Sequence, residues 1–343
     1  MTVYPANRLE DLAVLLDAVL KLSPGSVMEP GVVIVESKGM QHWLSMELAR
    51  RERVCMNITF PMPGNFIWQV VRKVLGPDRL PAHSLYQREA MVWRIDHLLA
   101  EKQRQGDPFS GEVTRYWHEE DGKTDRLKRF QLASKLADLF EQYMLFRPDW
   151  IDRWEVGAEA DSWQADLWRE LVKGDSDHPV RLLKQAVSLL AENSDQLPSQ
   201  VCLFAINTLP EIYLTFFNEL AKYSQVHLFH LNPCVEYWGN IQTERNLAAQ
   251  QLRQRQSDQW TAQEESSAEV GNPLLANLGV QGKEFFRALL ELDTFEISAF
   301  EIDPPEAPAT ADSVLHAVQR DILQLHDARN QSGNRYDESI TFS

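Results

Sequence analysis

A chain of 343 residues with 44% hydrophobic and 24% charged side chains has material for two or three cores and is too apolar to be disordered. Its net charge of −16 argues at first against a nucleic-acid partner. The acid is unevenly spread, however: residues 1–77 carry eight Lys/Arg against seven Asp/Glu and residues 291–338 three against eleven, so an N-terminal groove can have either sign.

The opening MTVYPANRLEDL lacks the charged-then-apolar profile of a signal peptide, and no apolar run approaches the roughly 18 to 20 residues of a membrane span. A soluble, cytoplasmic protein is expected. Cys55, Cys202 and Cys234 are dispersed and odd in number, which predicts buried reduced thiols rather than a disulfide frame or zinc site.

From Asn7 to Leu22 the sequence places Leu12, Leu15, Leu16, Val19 and Leu22 on one helical stripe, with Asn7 and Glu10 at the spacing of a capping box. A buried strand, Val32 to Val35, then passes the single glycine Gly39 into an amphipathic helix. CMNITFPMPGNFIWQVVRKVLG follows as a short strand, a turn and a helix from about Asn65. This is α/β traffic. From Leu80 to Leu197 only helices are predicted, in SLYQREAMVWRIDHLLAEKQ, RLKRFQLASKLADLFEQYMLF, SWQADLWRELVKG and VRLLKQAVSLLAEN. Trp93, Trp117, Trp150, Trp154, Trp163 and Trp168 concentrate there and are expected in its core.

Two continuous apolar runs, Val201 to Ile206 and Val226 to Leu231, flank a helix from Pro210 to Tyr223, a pattern of buried parallel strands joined by a crossover. One parallel sheet built from these and the N-terminal strands, with the helical block inserted, is the simplest assembly. The expected divisions are 1–79 for the first α/β part, 80–197 for the helical insertion and 198–343 for the second α/β part. That last part has a polar excursion at about 236–275, helices in GKEFFRALLELDTF and VLHAVQRDILQLH, and a linker in DPPEAPATADS between them. The closing ESITFS resembles a strand cut short, as in a portion of a longer protein.

Strand, glycine, helix is the layout of a phosphate loop, but the chemistry is missing. Such a loop needs G-x-x-x-x-G-K-[ST], so that backbone N–H groups, a lysine and a hydroxyl converge on phosphates and magnesium. Here Glu36, Ser37, Lys38, Gly39, Met40, Gln41 and His42 offer one glycine, a lysine ahead of it and a carboxylate that repels triphosphate. The second requirement, an acid ending a buried strand, also fails, because VCLFAI runs into Asn207, Thr208 and Leu209. No G-x-S-x-G elbow, H-E-x-x-H helix or nuclease carboxylate cluster is recognisable.

The blocks NRLEDL, VESKGMQHWLSMEL, ITFPMPGNFIW, FQLASKLADLFEQYMLFRPDWI, LPEIYLTFFNEL, HLFHLNPCVEYWGNI and VGNPLLANLG resemble, in order and spacing, the N-terminal part of the RecC family. These are the gamma subunits of exodeoxyribonuclease V, the RecBCD helicase-nuclease. The resemblance spans essentially the whole chain. It implies a degenerate superfamily 1 helicase motor fold, with a helical insertion and no ATP hydrolysis, catalytic site or cofactor of its own. It further implies a scaffold for RecB and RecD that passes the 3′-ended single strand of DNA through a tunnel and recognises Chi, in double-strand break repair by recombination.

Matched motif to motif, the Chi-reading positions fall on Glu36, Lys38 and His42, on Met62 and Trp68, on Asp138, Leu139, Glu141, Gln142 and Arg147, and by a looser match on Arg181. Where the family pattern has neutral polar residues, this loop has Glu36, Lys38 and His42, which leaves the preferred sequence open. On the helix from Leu127 to Met144, Leu132, Leu136, Leu139, Phe140 and Tyr143 form the apolar stripe, while Asp138, Glu141 and Gln142 lie opposite and are available to a ligand. Acids and amides can meet base edges, Arg147 can do so bidentately, and Trp68 can stack on an unpaired base. Judged by the residues alone, those three polar positions read as a solvated helix face and Trp68 as a core residue, and it is the resemblance that sets a DNA-reading role beside that reading. Two other readings stand beside this one: an active ATP-dependent helicase or nuclease domain with an unrecognised site, and an assembly module without DNA contact.

Overall fold

The computed structural model describes residues 1–22, 29–76, 79–80, 84–106, 109, 111–117, 124–158, 162–174, 177–243, 245–249, 269–300 and 313–327. They form two compact units: Met1–Pro63, Pro198–Leu209 and Ser224 onwards in the first, Gly64–Leu197 and Pro210–Tyr223 in the second.

The first unit is built on β1 (Thr2–Ala6), β2 (Gly31–Ile34), β3 (Ile58–Thr59), β4 (Gln200–Phe204) and β5 (Gln225–Leu231). The short pair β6 (Ile241–Gln242) and β7 (Glu269–Val270) stands apart, and β8 (Phe295–Glu296) returns to the main sheet. The sheet order is β3-β2-β4-β5-β1-β8 and every pairing is parallel, with Val33 beside Cys202 and Val3 beside Leu228. The expected single parallel sheet is thus present, and the chain is an α/β protein.

Parallel strands covered on both faces need continuous apolar runs. Val33, Val35, Cys202, Phe204 and Phe229 supply them, packed with Leu12 and Leu16 of α1 (Leu9–Lys21) and with Leu44 and Leu48 of α2 (Lys38–Glu52). Tyr4 stacks on Phe229 with ring centroids 4.9 Å apart. The capping box expected at Asn7 does not form. Arg8 is the N-cap and its side chain makes no capping hydrogen bond, and Asn7 Oδ1 is buried without a partner among the described residues. The cause is β1: the strand runs to Ala6, so Asn7 lies in the bend between strand and helix, one position too early to cap.

A satellite core in this unit joins Cys234, Trp238, Ile241, Leu275 and Ala276 to Phe286, Ile322 and Leu325. These come from the segment after β5 and from α11 (Pro273–Leu278), α12 (Val280–Leu290) and α13 (Val314–Leu323). Trp238 stacks on Phe286 and donates to Asn232 Oδ1 at 2.9 Å. The expected polar excursion of 236–275 is therefore packed at its two ends, where Trp238, Ile241 and Leu275 are buried, and its middle lies outside the described residues. So do ESITFS and most of the proline-rich linker.

The second unit contains α3 (Pro63–Leu75) from Gly64 on, then α4 (Arg88–Arg104), α5 (Gly111–Arg115), α6 (Arg126–Phe146), α7 (Pro148–Glu155), α8 (Trp163–Leu171), α9 (Pro179–Ser188) and α10 (Glu211–Leu220). Asp125 caps α6 by accepting from the N–H groups of Leu127 and Lys128. Met91, Ile95 and Leu99 of α4 meet Leu136, Ala137 and Phe140 of α6, with Ile151, Trp154 and Trp168 closing the core. Trp117 is buried too, while Trp150 and Trp163 pack against the core from its margin. Trp93 corrects the core expectation at one position: it is 66% exposed and lies against Phe130, since the buried stripe of α4 runs through Met91, Val92, Ile95 and Leu99.

Candidate nucleic-acid interface

In the first unit the carboxyl ends of β2, β3 and β4 share one edge of the sheet. The link from β2 to α2 is only Val35, Glu36 and Ser37, and Gly39 lies inside the first turn of α2 rather than in the loop. Ser37 caps the helix by accepting from Met40 N at 3.1 Å. Val35 N donates to Pro61 O at 3.2 Å, which fastens the chain leaving β3 to the chain leaving β2 and brings Met62, 41% exposed, to this edge. Lys38 and His42 are exposed and one helical turn apart, hence on the same face of α2.

Glu36 is exposed but engaged: its Oε1 accepts a hydrogen bond from Asn207 N at 3.1 Å. The partner loop leaves β4 through Ala205, a buried non-glycine residue at φ 49°. Left-handed backbone costs an L-residue on the order of 1 kcal/mol, so the neighbouring contacts must hold it there. One of them is the Ala205 N–H donated to Phe229 O at 2.9 Å. Close by in sequence, His227 is half-buried with Nδ1 3.1 Å from Tyr4 Oη, whereas His230 is 3% exposed and burial pushes its imidazole down to about 4. No His/Cys/Asp/Glu grouping fit for a metal occurs among the described residues.

The second unit holds the remaining sequence-predicted positions. Trp68 is half-buried and hydrogen-bonds Tyr213, whose phenol is pushed up by burial against the opposing effect of that bond. Trp68, Arg72, Glu141, Asp177, Ile212 and Tyr213 line a cavity of about 470 Å³. Trp68 and Glu141 therefore line the same cavity. On α6, Gln142 is exposed and Leu139 half-buried. Asp138 is not unoccupied: Arg88 of α4 donates to its carboxylate, and that bond holds the carboxyl below its ordinary range.

Arg147 lies over the Trp150 ring at 4.3 Å, with Nε 3.4 Å from Asp149. Arg181 donates to Glu155 at 3.0 Å. That carboxylate also accepts from Trp168 Nε1 at 3.2 Å and sits 2.7 Å from Nε2 of the buried His178. The predicted positions thus fall into two sets, Glu36, Lys38, His42 and Met62 in one unit and the other seven in the other. Arg88 and Tyr213 escape a reading of sequence because their partners are 50 and 145 positions distant, with no periodic signal between them.

No helix of the described residues is long and apolar enough to cross a membrane. Among curated proteins, the RecBCD enzyme subunit RecC of Escherichia coli K12 is 33% identical, the alignment covering 95% of this chain and 31% of that protein. The subunit of the same name from Haemophilus influenzae is 30% identical over 95% of this chain and 33% of its own length. That from Mycolicibacterium smegmatis is 29% identical over 97% and 29%. The chain spans about a third of the length of these relatives. Residues 1–325 match the family described as RecC, N-terminal domain, and the chain belongs to that family.

Proposed function

We propose that this chain is the N-terminal part of a non-catalytic subunit of a RecBCD-type complex, cytoplasmic and engaged in double-strand break repair. Its partners are single-stranded DNA and the RecB and RecD motors, which it helps to scaffold. In this reading residues 1–79 and 198–343 derive from a superfamily 1 motor, 80–197 are its helical insertion, and the exposed edge of the former nucleotide site reads Chi in the strand that ends 3′.

One observation carries the proposal: Glu36 places a carboxylate between the ends of β2 and β4 and binds the backbone N–H of Asn207 there. A nucleotide site needs N–H groups and cations turned toward phosphate at that point. An anion belonging to the chain, on a link of three residues, disfavours triphosphate and leaves neutral base edges as suitable ligands. Family membership supports the same reading, since the named relatives are subunits of the RecBCD enzyme.

The test is to assemble the full-length chain with its two partners and map where degradation stops on DNA of varied sequence. Stops at a defined sequence, lost on substitution of the predicted readers, are expected. Nucleotide-dependent thermal stabilisation of the purified chain that disappears in Lys38→Ala would instead establish an active motor.

A further inference from the structure

The switch point of the sheet lies between β2 and β4. From β2 the chain goes through α2 to β3 on one side, and from β4 it goes on to β5 on the other. Where successive connections diverge in this way, the strand ends leave a crevice in which open α/β sheets hold their ligands. Glu36 lines one bank of it, and the loop after β4 forms the other.

That loop is pinned at two backbone positions. Ala205 is held in its left-handed conformation and donates to Phe229 O at 2.9 Å, and the Asn207 N–H is taken by Glu36 at 3.1 Å. Immediately after the kink come two exposed polar side chains, Asn207 and Thr208, and neither makes a side-chain hydrogen bond among the described residues. A backbone fixed on both counts, carrying an amide and a hydroxyl with open valences, is preorganised for a ligand. Strain retained in a surface loop beside such groups is what a binding site commonly shows.

We infer that Asn207 and Thr208 are base-reading residues of the first unit, Asn207 through its amide and Thr208 through its hydroxyl. The inference rests on the proposed DNA-reading function and extends its site to a loop that none of the predicted positions includes. An amide presents one donor face and one acceptor, the complement of a base edge, and unpaired bases expose such edges freely. The nearby charges agree with that assignment. Glu36 discourages an anion at the loop itself, while Lys38 and His42, exposed on the first turns of α2, suit the phosphates that flank a bound base.

The experiment uses the full-length chain assembled with its two partners, scoring sequence-specific stops per strand degraded on a randomised DNA library. Asn207→Ala and Asn207→Asp remove and invert the amide donor, and Thr208→Val removes the hydroxyl. Each Asn207 variant is expected to reduce stopping at the preferred sequence by about five- to 150-fold, the range of a bidentate base contact, or to change the base preferred at one position. A benzophenone side chain introduced at position 208 is expected to crosslink to the single strand.

Asn207 variants with the wild-type stop profile, in a complex where Trp68→Ala does lower stopping, would overturn the inference and leave the parent reading intact. An absence of sequence-specific stops in the wild-type complex would remove both. Thermal unfolding of each variant separates a lost contact from a lost fold, and a crosslink absent from a folded, DNA-engaged complex also counts against the assignment.

Discussion

Arg129 grips Asp96 with two hydrogen bonds, Nε to Oδ1 at 2.8 Å and Nη2 to Oδ2 at 3.1 Å, and neither side chain is more than 18% exposed. The pair fastens α6 to α4. Asp96→Ala would leave the guanidinium poorly solvated and unpaired, and is expected to cost about 3 kcal/mol of stability. Replacing both partners with apolar residues of similar volume should recover much of that loss. Arg50→Ala, which removes an outer pair 3.4 Å from Glu47 with Arg50 71% exposed, should change stability by less than about 1 kcal/mol. Denaturant unfolding of the purified chain measures all three, and a near-neutral Asp96→Ala would show that the pair contributes little.

Glu155 makes the helical unit sensitive to acid. Burial alone would raise its carboxyl, but the hydrogen bond and charge of His178, with Trp168 and Arg181, outweigh burial and hold the group below the ordinary carboxylate value of 4.5. A depressed carboxyl contributes stability that is fully present above that value and is lost as pH falls through its folded one. The unfolding midpoint should therefore drop as the pH falls below 4.5, and the drop should be smaller in Glu155→Gln. Equal acid limbs in the two proteins would exclude Glu155 as the responsible group.

What could be read from the sequence follows from where each signal is encoded. β2, β4 and β5 carry continuous apolar runs, so their strands and their shared sheet were legible, and α6 announced itself by a long apolar stripe, whereas its cap, Asp125, showed only in the structure. β1 was not recognisable: it is five residues long and contains Pro5, which cannot donate to a ladder and usually argues against a strand inside a sheet. Here the Pro5 carbonyl still accepts from Ala299, so that residue keeps its place between neighbours as an acceptor alone. β8 is two exposed residues, Phe295 and Glu296, that pair with Thr2 and Val3 of β1, a partner far away in the sequence. The candidate site shows the same division. Glu36 at a strand end was visible, but its bond to Asn207, 171 positions away, was not, and neither was the grip of Arg88 on Asp138.

That long-range bond gives a prediction independent of DNA. If Glu36 pins the loop, the Asn207 amide is protected in the wild-type chain, and Glu36→Ala should make its hydrogen exchange about tenfold faster. This corresponds to roughly 1.4 kcal/mol, close to the lower end for a hydrogen bond to a charged group. Glu36→Gln keeps an acceptor oxygen and should retain most of the protection. Unchanged exchange at Asn207 in Glu36→Ala would mean that Ala205 and Phe229 fix the loop by themselves.

Trp68 separates the DNA-reading proposal from its bland alternative. The indole is half-buried, hydrogen-bonded to Tyr213 and set in the wall of the cavity it shares with Glu141, so it is placed either to pack or to stack on a base. Stacking on an unpaired base contributes about 1 to 3 kcal/mol, which predicts a five- to 150-fold loss of sequence-specific stopping in Trp68→Ala within the full-length complex, with Trp68→Phe retaining much of it. Tyr213→Phe preserves the ring but removes the hydroxyl that accepts the indole N–H, and should give an intermediate loss if that bond orients the indole. A purely structural Trp68 predicts a different result: lower thermal stability in Trp68→Ala with the stop profile unaltered among molecules that remain folded. Measuring unfolding and stopping on the same preparations distinguishes the two, because only base stacking ties the second readout to the aromatic face.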